Sequence, residues 1–368
     1  MKTALVYDRV NKFGGAEQVL LALHQILPEA PLYTSVYDIS GAPWADVFDV
    51  RTTFIQNTPL PKSEHEYYPY IMGPAFETLN LDDFDLVITV THEFAKAVIT
   101  KPQTLHICYC LTPVSYLWSG YEQYFSGKPA AFKMLTKPLV NYLRWYDRII
   151  AQRPDIYLAI SETVRLRIKR YYQRESTVIY PPVGLESLGS LDQLSPPGDF
   201  YLIVSRLAPQ KRLDIAVSAF NQLGWPLKII GSGREEGKLK ALAKTNIDFL
   251  GSLTDEERNR YYNNCRAVVI PGEEDFNLVA VEAQSFGKPV IALGKGGVTE
   301  TVIQGKTGWF FEEQKPEALV NIVRHADIDR IKPGDCRKNS ERFGNDRFRS
   351  EFKNFISDSY RRFRRGNL

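Results

Sequence analysis

Residues 271–297 read PGEEDFNLVAVEAQSFGKPVIALGKGG and carry the clearest fold signal in the chain. The apolar run RAVVI before them ends at Pro271 and predicts a buried strand. A helix is expected to begin near residues 276–278, followed by a second strand, PVIAL, and a Gly-Gly pair. Glu274 then lies in the strand-to-helix loop, and Glu282 lies about one turn into the helix. Strand, helix and strand in this order indicate a parallel α/β sheet.

The same alternation extends in both directions along the chain. FYLIVS, PLKIIG, IDFLG and GWFF predict further strands in the second half, separated by helical patterns. In the first half TALVY, PLYTSVY, DLVITV, TLHICYC and DIYLAIS read as strands, and Ser161 is a suitable N-cap for the helix ETVRLRIKRYY. Each half therefore predicts a doubly wound, Rossmann-like sheet with helices on both faces.

The stretch VIYPPVGLESLGSLDQLSPPGD separates the two halves. Its two Pro-Pro pairs, its glycines and its lack of periodicity are typical of a linker, which we place at residues 180–198. We predict an N-terminal domain over residues 1–184 and a smaller C-terminal domain over 185–345. The last helix, 346–364, has no strand after it and is expected to pack back on the first domain. Two such sheets facing one another leave a cleft lined by the carboxyl ends of their strands, where ligands bind.

Composition excludes several classes of protein. With 368 residues, 44% of them hydrophobic and 24% charged, the chain is globular and long enough for two domains. A net charge of +3 is too small to indicate a nucleic-acid partner. No apolar run reaches membrane-spanning length, and the N-terminus does not read as a signal peptide. Four scattered cysteines fit a reducing cytoplasm, and Cys108 and Cys110 are expected to be buried strand residues and not a metal site.

The segment VSRLAPQKRLD places two cations at the start of the second domain. Arg206 follows the first strand directly, and Lys211 lies five residues later, near the start of the next helix. A guanidinium fork and an ammonium point charge at the carboxyl end of a strand suit a diphosphate. The amides of residues 276–279 lie at a helix N-terminus, which also favours phosphate or sugar hydroxyls.

At these residues the sequence resembles a known family. SRLAPQK together with PGEEDFNLVAVEAQSFGKPVIA is similar to the retaining glycosyltransferases of family 4, which have the GT-B fold. The GGAE loop near the N-terminus and VIYPPV at the domain boundary follow the same order, so the resemblance covers nearly the whole chain. The nearest subgroup contains bacterial mannosyl- and glucosyltransferases of surface polysaccharide.

The resemblance implies a role for individual residues of the second domain. Arg206 and Lys211 would hold the pyrophosphate of a nucleotide-sugar donor, Glu274 would contact the transferred sugar, and Glu282 would bind the ribose. Leu250 would lie beside the base. The amides of the loop and first helical turn would contact sugar hydroxyls and phosphate; these are Asp275, Phe276, Asn277, Leu278 and Val279.

Three residues of the first domain are implicated in the same way. Gly14 and Gly15 would allow close approach to phosphate and acceptor, because they lack a Cβ. His92, at the end of the strand DLVITV, would lie beside the anomeric centre, with a structural histidine as the alternative.

The expected reaction transfers a hexose to a saccharide or lipid-linked acceptor in polysaccharide biosynthesis, with retention of configuration. UDP-glucose is the favoured donor and GDP-mannose the second. Fixed cations and helix amides would replace a metal, so we expect neither metal nor other cofactor. A sugar-nucleotide epimerase and a non-catalytic sugar-nucleotide-binding protein are the alternatives.

The sequence departs from the family pattern at two places. Asp275 and Asn277 replace glycines that flank the phenylalanine, although asparagine tolerates the left-handed conformation. Leu111 and Ser115 stand where the subgroup often has histidine and arginine, which leaves the acceptor preference open.

Two motifs compete with this interpretation. Asp83-Phe84-Asp85 is a D-x-D pair, but it precedes a strand and therefore reads as a polar turn. IIGSGREEG suggests dinucleotide binding, but its glycine spacing and its mid-domain position differ from the Rossmann fingerprint.

The region from Lys128 to Arg174 is basic and aromatic. It suggests contact with an anionic membrane surface, with a solvated helix face as the equal alternative, so we expect a cytoplasmic protein that is either free or peripheral on the inner face of the plasma membrane. The residues concerned are Lys133, Lys137, Arg144, Arg148, Arg153, Arg165, Arg167, Lys169, Arg170, Tyr142, Trp145, Tyr171 and Tyr172.

Overall fold

The computed structural model describes residues 1–59, 69–125, 127–184 and 198–367. They form two compact units: residues 1–182 with 345–368, and residues 183–344. Most of the predicted linker falls on residues 185–197, which lie outside the described residues.

Unit 1 contains a seven-stranded, fully parallel sheet. Its order is β3-β2-β1-β4-β5-β6-β7. The strands are β1 (Thr3–Tyr7), β2 (Leu32–Thr34), β3 (Val50–Thr52), β4 (Leu86–Thr91), β5 (Leu105–Cys110), β6 (Ile156–Ala159) and β7 (Thr177–Val178). Every residue of β1, β4 and β5 is buried, because helices cover both faces of a parallel sheet.

The helices of unit 1 connect these strands. They are α1 (Gly15–Ile26), α2 (Pro69–Glu77), α3 (Tyr121–Phe125), α4 (Ala130–Ile150) and α5 (Glu162–Tyr172). Ser161 caps α5 as predicted, since its Oγ accepts a hydrogen bond from the Val164 amide at 3.1 Å. The sequence analysis did not identify α4, the longest of these helices.

Unit 2 contains a six-stranded parallel sheet of order β10-β9-β8-β11-β12-β13. Its strands are β8 (Tyr201–Val204), β9 (Leu227–Ile230), β10 (Ile247–Gly251), β11 (Ala267–Ile270), β12 (Val290–Leu293) and β13 (Gly308–Phe311). Successive side chains enter opposite faces: Tyr201 and Ile203 pack in one core cluster and Leu202 in the other. The predicted pair of doubly wound sheets is confirmed.

The helices of unit 2 lie between these strands and after them. They are α6 (Leu213–Leu223), α7 (Glu236–Leu242), α8 (Asp255–Asn264), α9 (Leu278–Ser285), α10 (Val298–Thr301), α11 (Pro316–His325) and α12 (Pro333–Ser340). Lys211 does not begin a helix as expected. It ends a short 3₁₀ turn, and α6 starts two residues later.

The last helix, α13 (Asn345–Arg364), belongs to unit 1. Phe348 and Phe352 on its inner face are fully buried, and their rings lie 6.1 and 5.6 Å from that of Tyr109 in β5. Arg347 donates to the carbonyl oxygen of Tyr180 at 2.9 Å. A helix that follows unit 2 in sequence therefore completes the core of unit 1.

The basic and aromatic region from Lys128 to Arg174 does not form one continuous face. Tyr172 is buried, and Tyr171 stacks on Trp118 at 5.0 Å. Several of its cations are neutralised by neighbouring acids: Arg153 by Glu77, Arg165 by Glu162 and Lys169 by Glu175. These residues therefore do not share one side of the molecule, and α4 keeps an exposed basic and aromatic side of its own.

Candidate functional site

Each sheet has one switch point, where the strand order reverses and the connections from two neighbouring strands run to opposite sides of the sheet. In unit 1 it lies between β1 and β4, and in unit 2 between β8 and β11. Loops that leave such a pair diverge and open a crevice at the carboxyl edge of the sheet, where open α/β sheets bind their ligands. The loops after these four strands are the candidate sites.

Asp8 organises the crevice of unit 1. It follows β1 directly and is fully buried. Its Oδ2 accepts from the amides of His92 and Glu93 at 2.8 and 3.1 Å, and its Oδ1 accepts from those of Phe94 and Ala95 at 2.9 and 2.8 Å. Four amide donors compensate the buried carboxylate and hold the loop after β4 in place.

His92 lies in that loop and contacts two charged side chains that follow β1. Its Nδ1 lies 3.3 Å from Asp8 Oδ2, and its Nε2 lies 3.2 Å from Arg9 Nη2. Burial lowers the pKa of His92 below its usual value, although Asp8 and Glu93 act in the opposite direction. A neutral ring that carries its proton on Nδ1 donates to Asp8 and accepts from Arg9, so one tautomer satisfies both contacts.

Arg9 and Glu93 form a buried ion pair beside His92. Two further nitrogens of Arg9, Nε and Nη1, have no hydrogen-bond partner among the described residues. Asp8, Arg9 and Glu93 were not predicted from the sequence. Their position after the first strand of a doubly wound sheet, the same signal that identified Arg206, could have revealed Asp8 and Arg9.

The glycine loop lies close to this cluster. Gly15 begins α1, and a Cβ placed on Gly14 would lie 3.2 Å from Glu17 Oε2. The buried Glu17 carboxylate accepts from the Tyr7 hydroxyl at 2.7 Å, and the Tyr7 ring lies 6.3 Å from that of His92. Burial raises the pKa of Glu17. The structure thus connects the predicted glycines to His92 through Tyr7 and Glu17.

A cavity of about 370 Å³ adjoins the same region of unit 1. Tyr116 lines it, and burial together with the charges of Glu93 and Asp147 raises the pKa of this tyrosine. The Tyr116 hydroxyl has no partner among the described residues. The other lining residues are mostly apolar: Pro69, Leu117, Tyr124, Phe125, Lys128, Phe132, Thr136, Leu139, Val140 and Leu143. Tyr116 therefore lies where the polar cluster around His92 adjoins the apolar cavity.

Lys211 and Glu274 form the central contact of the unit 2 crevice. Lys211 Nζ lies 2.5 and 2.6 Å from the two Glu274 oxygens. The residues come from the loops after β8 and β11, which are neighbouring strands. The sequence analysis gave the two side chains separate roles and did not foresee that they bind each other.

Arg206 lies in the first of these loops and is exposed. Its side chain has no hydrogen-bond or ion-pair partner within the described parts of the chain. It is therefore an uncompensated cation in the same loop as the compensated Lys211.

The Gly-Gly pair after β12 packs against the Glu274 loop. The Gly297 amide donates to the Glu274 carbonyl oxygen at 2.7 Å. Gly296 has φ of +78°, and a Cβ on it would lie 2.4 Å from that same oxygen. A Cβ on Gly297 would lie 2.3 Å from the Asp275 carbonyl oxygen. No larger residue fits at either position, so the pair fixes the backbone that carries Glu274.

Asn277 starts α9 from the left-handed conformation, with φ of 76°, as the sequence analysis anticipated. Its Oδ1 accepts from the Ala280 amide at 2.9 Å, so its side chain is an N-cap. The Phe276 side chain is buried against Phe343, with ring centroids 5.4 Å apart. Leu278 and Val279 form the first turn of α9, whose amides have no acceptor within the helix itself.

Glu282 and Leu250 lie at the periphery of this crevice. Glu282 accepts a hydrogen bond from the Tyr262 hydroxyl at 2.8 Å, a partner that the sequence gave no reason to expect. Burial and the neighbouring Glu282 raise the pKa of Tyr262. Leu250 is half-buried in β10 and packs against one face of the core.

The competing motifs have structural explanations. Asp83 and Asp85 lie in a turn before β4 and pair with Lys2 and the N-terminus, at the edge opposite the crevice. Gly231, after β9, has φ of +131°, and a Cβ there would lie 2.0 Å from the Ser205 carbonyl oxygen. This glycine is required by packing against the loop after β8 and does not indicate dinucleotide binding.

No set of three or more histidine, cysteine, aspartate or glutamate side chains suited to a metal occurs in the described part of the chain. Cys108, Cys110, Cys265 and Cys336 are buried and form no disulfide in the described part of the chain, and burial raises the pKa of Cys108 to about 12. The prediction that Cys108 and Cys110 are buried strand residues is confirmed. Among the described residues no helix is long and apolar enough to cross a bilayer.

The fold is shared with solved glycosyltransferase structures. HepE of Anabaena, solved in complex with UDP, superposes with a TM-score of 0.74 over 97% of this chain and 100% of its own, at 18% identity. The chain has the GT-B fold.

Sequence similarity points to the same class of proteins. Residues 193–343 match the family model "Glycosyl transferases group 1". An uncharacterized glycosyltransferase of Haemophilus influenzae is 28% identical, and the match covers 94% of this chain and 97% of the relative. The O-antigen chain mannosyltransferase C of Escherichia coli is 30% identical over 51% of this chain. The chain spans 52–58% of the length of this mannosyltransferase and two other curated relatives. The matched GT-B segment contains the whole unit 2 crevice from Arg206 to Glu282.

Proposed function

We propose that the protein is a metal-independent, retaining glycosyltransferase of family 4. In this proposal it transfers a hexose from a nucleoside diphosphate sugar to a lipid-linked saccharide in the biosynthesis of a surface polysaccharide. The observation that carries the proposal is the meeting of Arg206, the Lys211–Glu274 pair and the N-terminus of α9 at the unit 2 crevice, within the matched segment.

The charges of this crevice suit a diphosphate leaving group. Arg206 is free to form a forked contact with phosphate oxygens, and the first-turn amides of α9 add neutral donors. Lys211 would contact the diphosphate from one side while Glu274 holds its ammonium group from the other. Glu274 is thereby oriented toward the sugar, and Glu282 with Tyr262 provides acceptors and a donor for the ribose hydroxyls.

The reaction follows from this arrangement. The acceptor oxygen bonds to the anomeric carbon while the bond from that carbon to the phosphate oxygen breaks. The nucleoside diphosphate leaves with the bonding electrons, and its phosphate takes the acceptor's proton on the same face. Arg206, Lys211 and the helix amides stabilise the developing negative charge, which is the task of a divalent ion in other transferases.

In unit 1 we assign to His92 the role that the family resemblance implies, beside the reacting carbon. We propose that it acts as a neutral hydrogen-bonding group and not as a general base, because Arg9 occupies its Nε2 lone pair. The apolar cavity that reaches the same cluster at Tyr116 favours an acceptor with a lipid chain over a free saccharide.

The donor is proposed to be UDP-glucose, with GDP-mannose second. A UDP-glucose complex of the structurally similar HepE supports the first, and the name of the Escherichia coli relative supports the second. A cytoplasmic location is proposed with it, supported by four cysteines that form no disulfide among the described residues.

The double variant Arg206→Ala/Lys211→Ala tests the assignment. Donor turnover, measured as release of nucleoside diphosphate from UDP-glucose or GDP-mannose in the presence of EDTA, is expected to fall at least about a hundredfold. Lys238→Ala, which removes an exposed cation from α7, is the matched control and should keep wild-type turnover. Near-wild-type turnover in the double variant contradicts the proposal.

The same assay separates the alternatives. An epimerase would convert the sugar without releasing nucleoside diphosphate, and a binding protein would saturate with donor but release nothing. Loss of wild-type turnover with EDTA, restored by Mg²⁺ or Mn²⁺, would contradict metal independence.

A further inference from the structure

The exposed side of α4 is unusually apolar for a surface helix. Seven of its large hydrophobic side chains are exposed, among them Met134 at 71%, Leu135 at 76% and Trp145 at 58%. The opposite side carries Val140, Leu143, Asp147 and Ile150, which are buried in unit 1. The helix is thus apolar both toward the core and toward the outside.

The outward side chains form one stripe. At 100° per residue, five of the seven fall, together with the exposed Pro138, within about 100° of arc on the face opposite the buried residues. We call this stripe the outer face of α4; it consists of Met134, Leu135, Pro138, Tyr142, Trp145 and Ile149. An apolar stripe of about four turns with two aromatic residues is larger than the scattered apolar residues of an ordinary surface.

A row of cations runs along one border of the outer face. Lys133, Lys137 and Arg148 are exposed, and none of them has a carboxylate partner in the described ranges. Arg144, in the same row, lies over the Tyr121 ring at 4.6 Å. The one acid of the helix, Asp147, is buried and forms an ion pair with Lys96 at 2.7 Å. The accessible charge of α4 is therefore entirely positive.

We propose that α4 is a membrane-docking helix that lies in the plane of an anionic bilayer. Its outer face would enter the boundary between headgroups and acyl chains, while the cationic row would contact lipid phosphates. Tyr142 and Trp145 suit this depth, because their amphipathic rings favour the interface.

The positive row decides between a bilayer and a second copy of the chain. In a symmetric dimer through the outer face, the same patch meets itself, so the cationic row of each copy would face either the other row or an uncharged border of α4, and no exposed acid of that helix. An anionic surface instead complements both the row and the stripe. The proposal is independent of the donor and of the reaction.

Vesicle sedimentation without donor or acceptor tests it. The wild-type protein is expected to bind phosphatidylcholine vesicles that contain about a quarter phosphatidylglycerol, and to bind them less as salt rises through screening. The variant Leu135→Glu/Trp145→Glu should bind at least about tenfold more weakly, because it places two charges in the apolar stripe. Both side chains are exposed, so thermal unfolding should remain that of the wild type.

Ile39→Glu/Val47→Glu is the matched control. It adds the same two charges at exposed apolar positions of unit 1 away from α4, and vesicle binding should fall far less than in the α4 variant. Equal losses in both variants, retained binding in the α4 variant, or absence of wild-type binding would overturn the proposal. So would a wild-type dimer in light scattering that the α4 variant converts to monomer, since the outer face would then bind a second copy.

Discussion

At the scale of single residues, the unit 2 crevice depends on partners distant in sequence. Lys211 and Glu274 are 63 positions apart, yet their charged groups are in direct contact. Sequence patterns selected both residues as candidates, because each lies in a loop that follows a strand. Their pairing could not be predicted, since it depends on β8 and β11 being neighbours, which the order of elements along the chain does not specify.

Asn277 illustrates what could be predicted for one residue. Its side chain caps α9 while its backbone has φ of 76°, so two properties of asparagine are used at once. We expect Asn277→Ala to lower the free energy of unfolding by about 2 kcal/mol, through loss of the cap and the cost of the left-handed conformation. Asn277→Gly should cost only about a few tenths of a kcal/mol, since glycine adopts this conformation freely.

Urea unfolding of the two variants provides the measurement. If glycine destabilised the protein as much as alanine, the conformational part of the argument would be wrong and only the cap would remain.

At the scale of elements, the sequence identified the long buried strands but missed the atypical ones. LHICYC and DLVITV are apolar and buried, so their patterns are unambiguous. The strands β3 and β7 are three and two residues long and largely unburied. They therefore lack the run of apolar residues that predicts a buried strand. The helix α4 was missed because Pro138 lies within it and because apolar residues occupy two of its sides, so the pattern lacks a single apolar stripe.

The strand β5 carries a buried histidine with a consequence for acid stability. Burial, aided by Arg153 and Arg174, lowers the pKa of His106 from 6.5 to about 3. The unfolded chain binds this proton near pH 6.5 and the folded chain only near pH 3. The contribution of neutral His106 to the free energy of unfolding is therefore complete above pH 6.5. Below that pH the contribution falls by about 1.4 kcal/mol per pH unit.

His106→Gln should remove this dependence. Between pH 6.5 and 4 its free energy of unfolding is expected to fall less steeply than that of the wild type, by up to about 1.4 kcal/mol per pH unit. Denaturant titrations at several pH values measure both slopes. Parallel curves would show that His106 is protonated in the folded protein.

At the scale of the whole molecule, two doubly wound sheets and their order were predictable because each repeats a strong strand–helix alternation. The crevices were predicted only in part. The rule that ligands bind at the carboxyl ends of strands led to Arg206 and Glu274 as candidates, and the family resemblance led to His92. It did not reveal that Asp8 orders the unit 1 loop, because a single aspartate after a strand has many possible uses.

The packing of α13 on unit 1 predicts a localised loss of stability. Phe352→Ala should cost about 3–5 kcal/mol, since its ring is fully buried against Tyr109. Hydrogen exchange should show faster exchange in the β5 peptides of unit 1, while the unit 2 peptides keep their protection. Lys353→Ala, an exposed change on the same helix, should leave both units unchanged. Equal acceleration in unit 2 would contradict a local effect.

The membership of α13 in unit 1 also determines the order in which the protein matures on the ribosome. Domains generally fold during translation as soon as their segments have emerged. Here residues 183–344 are complete before residues 345–367 have been made, although β1 to β7 were translated first. Unit 1, whose strands are synthesised first, therefore leaves Tyr109 without its contacts to α13 until that helix has left the exit tunnel.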